Sequence, residues 1–270
     1  AGKEEKNMNY QDINAKAIDR WIAGGWEWGV PVSREEYAAA LGGRWDVLLT
    51  PTKSVPHGWF GSLRGKKLLG LASGGGQQMP IFTALGAECT VLDYSEKQLE
   101  SELAVARREG YSIRALRADM TKPLPFPDEA FDIIFHPVSN MYVEQVRPIW
   151  RECFRVLKPG GVLLAGLDTG INFIFDDDER MLVNALPFNP LKNPVQRKQL
   201  EASDAGIQFS HTLEEQIGGQ LEAGFVLTGL YEDYNGSGRL NDYHIPSFAA
   251  TRAVKPERGG EQAWQSLKIL

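Results

Sequence analysis

The sequence has few of the features that mark disulfide-rich, secreted or membrane-spanning proteins. Only two cysteines, Cys89 and Cys153, occur in 270 residues, and both lie in apolar segments, so we expect buried, reduced thiols. No apolar run approaches the roughly 18 residues of a membrane-spanning helix, and the polar first residues do not resemble a signal peptide. The sequence therefore predicts a cytoplasmic protein without a membrane span.

Positive charge and metal-ligand patterns are scarce as well. The 29 Lys and Arg residues are outnumbered by 35 Asp and Glu, which gives a formal net charge of −6, and no basic cluster occurs. Nucleic acids and acidic membranes bind positive patches, so neither is an expected partner. No metal site is predicted, because no recognisable ligand spacing accompanies the acidic run 176–179 or the four histidines, His57, His136, His211 and His244.

The most informative stretch runs from residue 66 to residue 99. An apolar run leads into Ala72-Ser73-Gly74-Gly75-Gly76, a helix-compatible segment follows, and a second apolar run stops at Asp93. Consecutive glycines suit a sharp turn where backbone approaches a ligand, and free N–H groups at a helix start favour a polar or anionic ligand group. An acid about 20 residues after such a turn can accept hydrogen bonds from a ribose diol. The stretch therefore predicts a nucleoside-cofactor site.

The spacing of the glycines separates the possible cofactors. The dinucleotide fingerprint G-x-G-x-x-G has no register here, because its third glycine would fall on Gln77 or Met79. A phosphate-binding P-loop requires Gly-Lys-Ser/Thr, whereas Gly76 is followed by Gln77. The run 72–76 instead fits the shorter pattern small-x-Gly-x-Gly.

Two further strings follow this run in order: PFPDEAFDIIF at residues 125–135 and RVLKPGGVLLAG at residues 155–166. Together the three motifs, over roughly residues 66 to 167, resemble the class I S-adenosylmethionine (SAM)-dependent methyltransferases. The resemblance implies an α/β, Rossmann-like, doubly wound sheet of seven strands with an antiparallel last strand. The usual first motif has an acid two positions before its first glycine, which holds the methionine amino group. This chain has Gly70 at that position and Ala72 in place of the first glycine.

The resemblance also implies a cofactor site. Asp93 would hold the ribose, Tyr94 would flank the adenine, and Asp119 would accept from the adenine amino group. His136 follows the fourth strand, at the edge where open α/β sheets bind ligands, and it is either a general base or part of the pocket floor. The expected cofactor-binding set is Ala72, Ser73, Gly74, Gly75, Gly76, Asp93, Tyr94, Ser95, Gln98, Asp119, Met120 and His136.

Two stretches lie outside the predicted core of the domain, which spans residues 61–256. Residues 1–60 contain five of the seven tryptophans and are interpreted as a helix-poor aromatic extension, either an anchor or a lid, with Tyr10, Trp26 and Trp28 as candidates to face the acceptor. Residues 168–211 interrupt the α/β alternation and are expected to cover the substrate, and residues 257–270 form a C-terminal tail.

These features favour methyl transfer from SAM to a small-molecule acceptor, with S-adenosylhomocysteine as product and with proximity and orientation as the source of catalysis. A protein that binds SAM or S-adenosylhomocysteine without catalysis is the first alternative, motivated by Gly70 and Ala72. An NAD-dependent oxidoreductase is the second, and the glycine spacing and the predicted terminal hairpin disfavour it. A DNA acceptor is not expected, because His136-Pro-Val-Ser139 differs from the Asn-Pro-Pro-Tyr type of enzymes that methylate exocyclic amines. The sequence leaves the acceptor and the oligomeric state open.

Overall fold

Seven strands form one sheet at the centre of the computed structural model, which describes residues 9–203 and 205–258. Their order is β3-β2-β1-β4-β5-β7-β6. The first five strands pair in parallel, and β7 is antiparallel to both β5 and β6. The predicted doubly wound sheet with an antiparallel last strand is therefore confirmed. The strands are β1 (Lys67–Leu71), β2 (Glu88–Asp93), β3 (Arg114–Arg117), β4 (Phe131–His136), β5 (Leu157–Asp168), β6 (Val226–Asp233) and β7 (Phe248–Val254).

The central strands are apolar on both faces because helices cover both sides of the sheet. Side chains alternate along a strand, so Ile134 packs into the cluster around helix α5, whereas Ile133 and Phe135 pack into the cluster around α3. The helices are α1 (Tyr10–Ala23), α2 (Arg34–Leu41), α3 (Met79–Ala84), α4 (Glu96–Glu109), α5 (Arg147–Val156), α6 (Pro194–Ser203), α7 (Gly219–Ala223) and α8 (Gly238–Asp242).

Side-chain caps define the starts of two helices. Ser33 and Glu36 form a reciprocal capping box at the start of α2, and the Ser95 side chain accepts a hydrogen bond from the Gln98 N–H at the start of α4. Helix α4 ends at Gly110, whose φ of 77° is the left-handed conformation that favours glycine.

The expectation of a helix-poor extension was wrong, because α1 is a helix of 14 residues. The Asn9 side chain caps it by accepting from the Asp12 N–H. Its buried side consists of Asn14, Ala15 and Ala17, a polar residue and two small ones, so the helix lacks the apolar stripe that periodicity detects. The chain after Asn235, predicted as a flexible turn, also contains a helix, α8.

The extension lies across the carboxyl ends of β4 and β5. The carbonyl oxygen of Leu49 accepts from the Val138 N–H at 3.0 Å, and a Cβ on Gly166 would collide with the same oxygen. Glycine at position 166 therefore permits this close approach. None of the helices among residues 9–203 and 205–258 is long and apolar enough to cross a membrane.

The described residues of the segment 168–211 pack against α1 and against Met141, outside the cavity described below. The Asn14 side chain of α1 bonds both the N–H and the carbonyl of Ile207, and the Phe209 N–H donates to the Met141 carbonyl at 2.7 Å. No described residue of this segment lines the cavity, so the segment does not cover the substrate site as expected. Because it supports α1, we call residues 168–211 the brace segment. Of the predicted tail, residues 259–270 lie outside the described part of the chain.

Candidate cofactor and acceptor site

A cavity of about 640 Å³ opens at the carboxyl ends of β1 to β4, the edge at which open α/β sheets bind ligands. Its size lies within the range of small-molecule sites. One side comes from the strand ends and the other from the extension between residues 11 and 51. Of the predicted site residues, the cavity wall includes Ala72, Ser73, Gly74, Asp93, Tyr94, Ser95, Gln98, Asp119, Met120, Trp26 and Trp28.

Asp93 ends β2 and presents a fixed carboxylate to this cavity. Its Oδ2 accepts from the Gly74 N–H and its Oδ1 from the Ser95 N–H, each at 3.0 Å. Burial raises the pKa of this carboxyl group, while the two backbone donors oppose the shift. Each carboxylate oxygen retains acceptor capacity, so Asp93 can receive hydrogen bonds from two adjacent hydroxyl groups.

Two further polar residues, Gln98 and Asp119, lie on the wall. The side-chain Oε1 of Gln98 is buried and has no hydrogen-bond partner among the described residues, and a Cβ on Gly74 would touch both Gln98 and Asp93. This oxygen faces Gly75 of the glycine turn, so Gln98 borders the cavity through other atoms of the residue. Asp119 uses its Oδ1 to accept from the Thr121 N–H and hydroxyl, which leaves its Oδ2 for an amino group. Asp93 and Asp119 fit the adenosine part of SAM.

The glycine turn contributes less to the wall than the sequence suggested. The N–H groups of Gly74, Gly75 and Gly76 donate to Asp93, to the Gln98 carbonyl and to Glu102, so these three groups are used within the protein. Gly75 and Gly76 lie behind the wall, with φ of 98° and 72°. A Cβ on Gly76 would lie 2.7 Å from Val105, so the turn needs glycine there to pack on α4.

Packing explains why glycine occupies position 70, where the family usually has an acid. A Cβ on this residue would lie 2.7 Å from the sulfur of Met79, so the Met79 side chain fills the space that a carboxylate would take. The amino group of a bound methionine moiety therefore needs a different acceptor in this chain.

Glu102 was missed by the sequence reasoning. It is fully buried behind the glycine turn, where its Oε2 accepts from the Gly76 N–H at 2.9 Å and its Oε1 from the Tyr111 hydroxyl at 3.3 Å. Burial raises its pKa to about 7. The signal was present: Glu102 shares the buried face of α4 with Leu99, Val105 and Ala106, three and four residues away.

We expect Glu102 to make stability fall between about pH 5 and pH 8. Its pKa in the folded protein, about 7, exceeds the ordinary 4.5, so the folded state holds a proton that the unfolded chain has lost. The stabilising contribution of Glu102 is therefore fully present below pH 4.5 and is lost as the pH rises through about 7. From urea unfolding, the parent should lose about 2–3 kcal/mol more than Glu102→Gln over this interval. The exposed Glu100→Gln is the control, and equal losses in the parent and Glu102→Gln would refute the assignment.

His136 does not lie on the cavity wall. Its side chain shares a face with Ile134 and meets Trp150 of α5, with no exposed surface. Its Nδ1 lies 2.8 Å from the Leu71 carbonyl oxygen, its Nε2 lies 2.8 Å from the side chain of Asn140, and burial lowers its pKa. The expectation that this side chain contacts the cofactor is therefore corrected. Its position matches the other interpretation, a residue that shapes the pocket floor.

A second histidine, His211, supports the same floor. Its Nε2 donates to the carbonyl oxygens of Asn140 and Val143 at 3.1 and 2.9 Å, while the Asn140 amide also donates to Gln216. Burial lowers the pKa of His211 as well, which favours the neutral ring. The two histidines thus hold the segment 137–143, which lines the cavity through Pro137, Val138, Ser139, Met141, Tyr142 and Val143. Scattered positions in the sequence gave no sign of this pairing.

The extension is hydrogen-bonded to the glycine turn that follows β1 and to the turn that follows β2. The Val32 N–H donates to the Gly76 carbonyl at 2.9 Å, and the Gln77 side chain donates to the Val30 carbonyl at 3.1 Å. From α1, Asp12 accepts from the Tyr94 hydroxyl at 2.7 Å. A further bond joins Ser95 to Asp19 of the same helix. The extension therefore forms one wall of the site and is fixed to the residues that flank Asp93.

Trp26 and Trp28 lie on this wall, but Tyr10 does not. The Tyr10 ring packs edge-on against Phe209, and its hydroxyl accepts from the Glu144 N–H at 3.3 Å. The expectation that Tyr10 faces the acceptor is corrected, because this residue joins α1 to the brace segment.

Comparison with known proteins agrees with the fold. The family described as "Methyltransferase domain" matches residues 69–165. The chain is 42% identical over 249 residues to an uncharacterized methyltransferase, YbaJ, of Bacillus subtilis, covering 90% of this chain and 97% of that protein. A sterol 24-C-methyltransferase of Gibberella zeae is 33% identical over 101 residues, which are 36% of this chain and 26% of that enzyme.

Among solved structures, a SAM-dependent methyltransferase from Mesorhizobium loti has a TM-score of 0.60 and 20% identity, covering 73% of this chain and 94% of that one. The strand order and the cavity at the carboxyl edge are those of a Rossmann-like methyltransferase domain. With the relative that matches over nearly its whole length, they establish that the chain belongs to the class I SAM-dependent methyltransferases.

Proposed function

We propose that this protein transfers the methyl group of SAM to a small-molecule acceptor bound under the N-terminal extension. One observation carries the proposal: a single cavity joins acceptors that fit adenosine, at Asp93 and Asp119, to a mostly apolar space walled by the extension. The same wall would hold the product, S-adenosylhomocysteine. The buried, unpaired thiols of Cys89 and Cys153 suit the reducing cytoplasm that we propose as its location.

In this proposal the protein acts by binding and orientation. SAM supplies an activated methyl group, so the chain's task is to align the acceptor and to exclude water, and positioning alone supplies about 7–11 kcal/mol. Asp93 and Asp119 fix the nucleoside, the floor segment 137–143 supports the reacting region, and Trp26 and Trp28 shield it. Because the hydrogen bonds of the extension reach the turns beside Asp93, cofactor and acceptor positions are coupled through the same segment.

A protein that binds SAM or S-adenosylhomocysteine without catalysis is the second candidate. Gly70 favours it, because Met79 occupies the space of the usual acid and the methionine end of the cofactor lacks that anchor. Both candidates require cofactor binding, and only the first requires methyl transfer.

Calorimetric titration tests cofactor binding, which both candidate functions require. We expect S-adenosylhomocysteine and SAM to bind with one site per chain and NAD to give no heat of binding, because the glycine turn does not suit a dinucleotide. Binding of NAD alone, or of none of the three, would overturn the proposed cofactor.

We expect His136→Ala to reduce turnover by less than about 100-fold, because this side chain supports the floor and does not contact reacting atoms. His136→Asn is a useful partner variant, since an amide retains one hydrogen bond to the floor and should recover part of the loss. Initial rates with SAM and a metabolite extract supply the measurement. An inactive His136→Ala protein that folds and binds S-adenosylhomocysteine normally would instead identify His136 as the base.

A further inference from the structure

Every charged side chain that the described residues contribute to the cavity wall is a carboxylate. Asp93 and Asp119 lie on the cofactor side, while Glu27, Glu36 and Asp46 come from the extension. No lysine, arginine or histidine of residues 9–203 and 205–258 lines the same cavity. The wall is therefore negative on both sides.

Three basic side chains on or beside the extension make their contacts outside the cavity wall. The Arg108 guanidinium donates to the Val32 carbonyl at 2.6 Å and also pairs with Glu109, and Lys53 donates to the Glu232 carbonyl at 2.7 Å. His57 stacks on Trp45 with its Nε2 3.7 Å from Asp46, outside the cavity wall. None of these groups is placed to receive an anionic ligand inside the cavity.

Apart from its carboxylates, the part of the wall next to the acceptor space is mostly apolar. Two tryptophans, Trp26 and Trp28, lie on one side, and Met141 and Phe248 belong to the other segments of the wall. Such surfaces bind flat or branched apolar bodies through area and ring contacts. The extension adds further apolar side chains, namely Val30, Val32, Val47, Leu48 and Leu49.

Given the proposed function, on which this inference rests, we propose that the acceptor is an apolar molecule without phosphate or carboxylate groups, whose polar group is neutral or positively charged. SAM carries a net charge of +1, whereas the described wall carries five carboxylate side chains. An anionic acceptor would leave water for a space lined by like charges, with no cationic side chain on the described wall to compensate it. A hydroxyl or an amine meets no such penalty.

Three probes with the same ring test this charge preference: benzylamine, benzyl alcohol and benzoate. Each is titrated into protein saturated with S-adenosylhomocysteine. We expect benzylamine and benzyl alcohol to bind at least about 10-fold more tightly than benzoate at about 0.01 M salt. The difference should shrink to less than about 3-fold at about 1 M salt, where screening acts over about 3 Å.

A triple variant links this preference to the wall. Glu27→Gln, Glu36→Gln and Asp46→Asn together should remove most of the discrimination against benzoate, and glutamine at position 36 can still serve the capping box of α2. The matched control replaces three carboxylates outside the wall, Asp177→Asn, Asp178→Asn and Glu201→Gln, and should leave the discrimination unchanged.

Benzoate binding as tightly as benzylamine, or binding by none of the probes, would overturn the proposed acceptor class. An unchanged preference in the triple variant would do the same. The titration with S-adenosylhomocysteine that precedes the probes reports separately on the proposed function. Failure at that step overturns the cofactor, whereas a wrong probe order with normal cofactor binding overturns only the acceptor class.

Discussion

Asp93→Ala should weaken binding of S-adenosylhomocysteine by roughly 10- to 150-fold. A hydrogen bond to a charged group is worth about 1.5–3 kcal/mol, and each 1.4 kcal/mol changes a dissociation constant tenfold. The Asp93 carboxylate is held in place by the N–H groups of Gly74 and Ser95 and faces the cavity, so its geometry is set before the ligand arrives. Calorimetric titration gives the dissociation constants.

Two companion variants make this result interpretable. Asp93→Asn preserves the shape of the side chain but removes its charge. It therefore separates the effect of losing the charge from the effect of disturbing the glycine turn. Asp178→Ala removes an exposed carboxylate outside the wall and should bind like the parent. If Asp93→Ala unfolds at the parent's temperature and still binds S-adenosylhomocysteine with unchanged affinity, Asp93 does not hold the ribose.

Removal of residues 1–30 should reduce turnover by at least about 1,000-fold, because this segment provides part of the acceptor wall and positioning carries most of the rate. Cofactor affinity should fall much less, by about 10-fold. That loss reflects the bonds from Asp12 to Tyr94 and from Asp19 to Ser95. Turnover is measured as formation of S-adenosylhomocysteine in a metabolite extract, and affinity by titration.

The control for this deletion is removal of residues 1–8 only, which leaves α1 and its contacts in place and should preserve turnover. A smaller change, Trp26→Ala with Trp28→Ala, keeps the hydrogen bonds of α1 and should lower turnover with little effect on affinity. Full turnover after the longer deletion, in a folded protein, would show that the extension is not part of the acceptor site.

The sequence predicted the sheet well, and it placed most of the candidate cofactor residues at one edge of that sheet, because both depend on local patterns. Apolar runs define β1, β2 and β4, capping residues place α2 and α4, and Asp93 and Asp119 follow directly from the ends of strands. The carboxyl ends of parallel strands lie at one edge of the sheet, so residues at these ends lie close together whatever the conformation of the loops.

The contacts that were missed depend on packing between distant segments. Helix α1 buries Asn14 through bonds to Ile207 and Tyr142, partners more than 120 residues away that periodicity cannot detect. His136 was expected at the ligand edge, yet strand alternation turns its side chain to the face of Ile134. That face could have been read from β4, whereas the pairing of His211 with the floor segment required the fold.

Transfer of label from methyl-tritiated SAM tests the central claim most directly. Protein is incubated with the labelled cofactor and a metabolite extract, and the products are separated into small-molecule and macromolecular fractions. The account predicts label in the small-molecule fraction with the parent protein and at most about a tenth of it with Asp93→Ala at subsaturating cofactor. Label confined to macromolecules, or no transfer by a protein that binds S-adenosylhomocysteine, would contradict it.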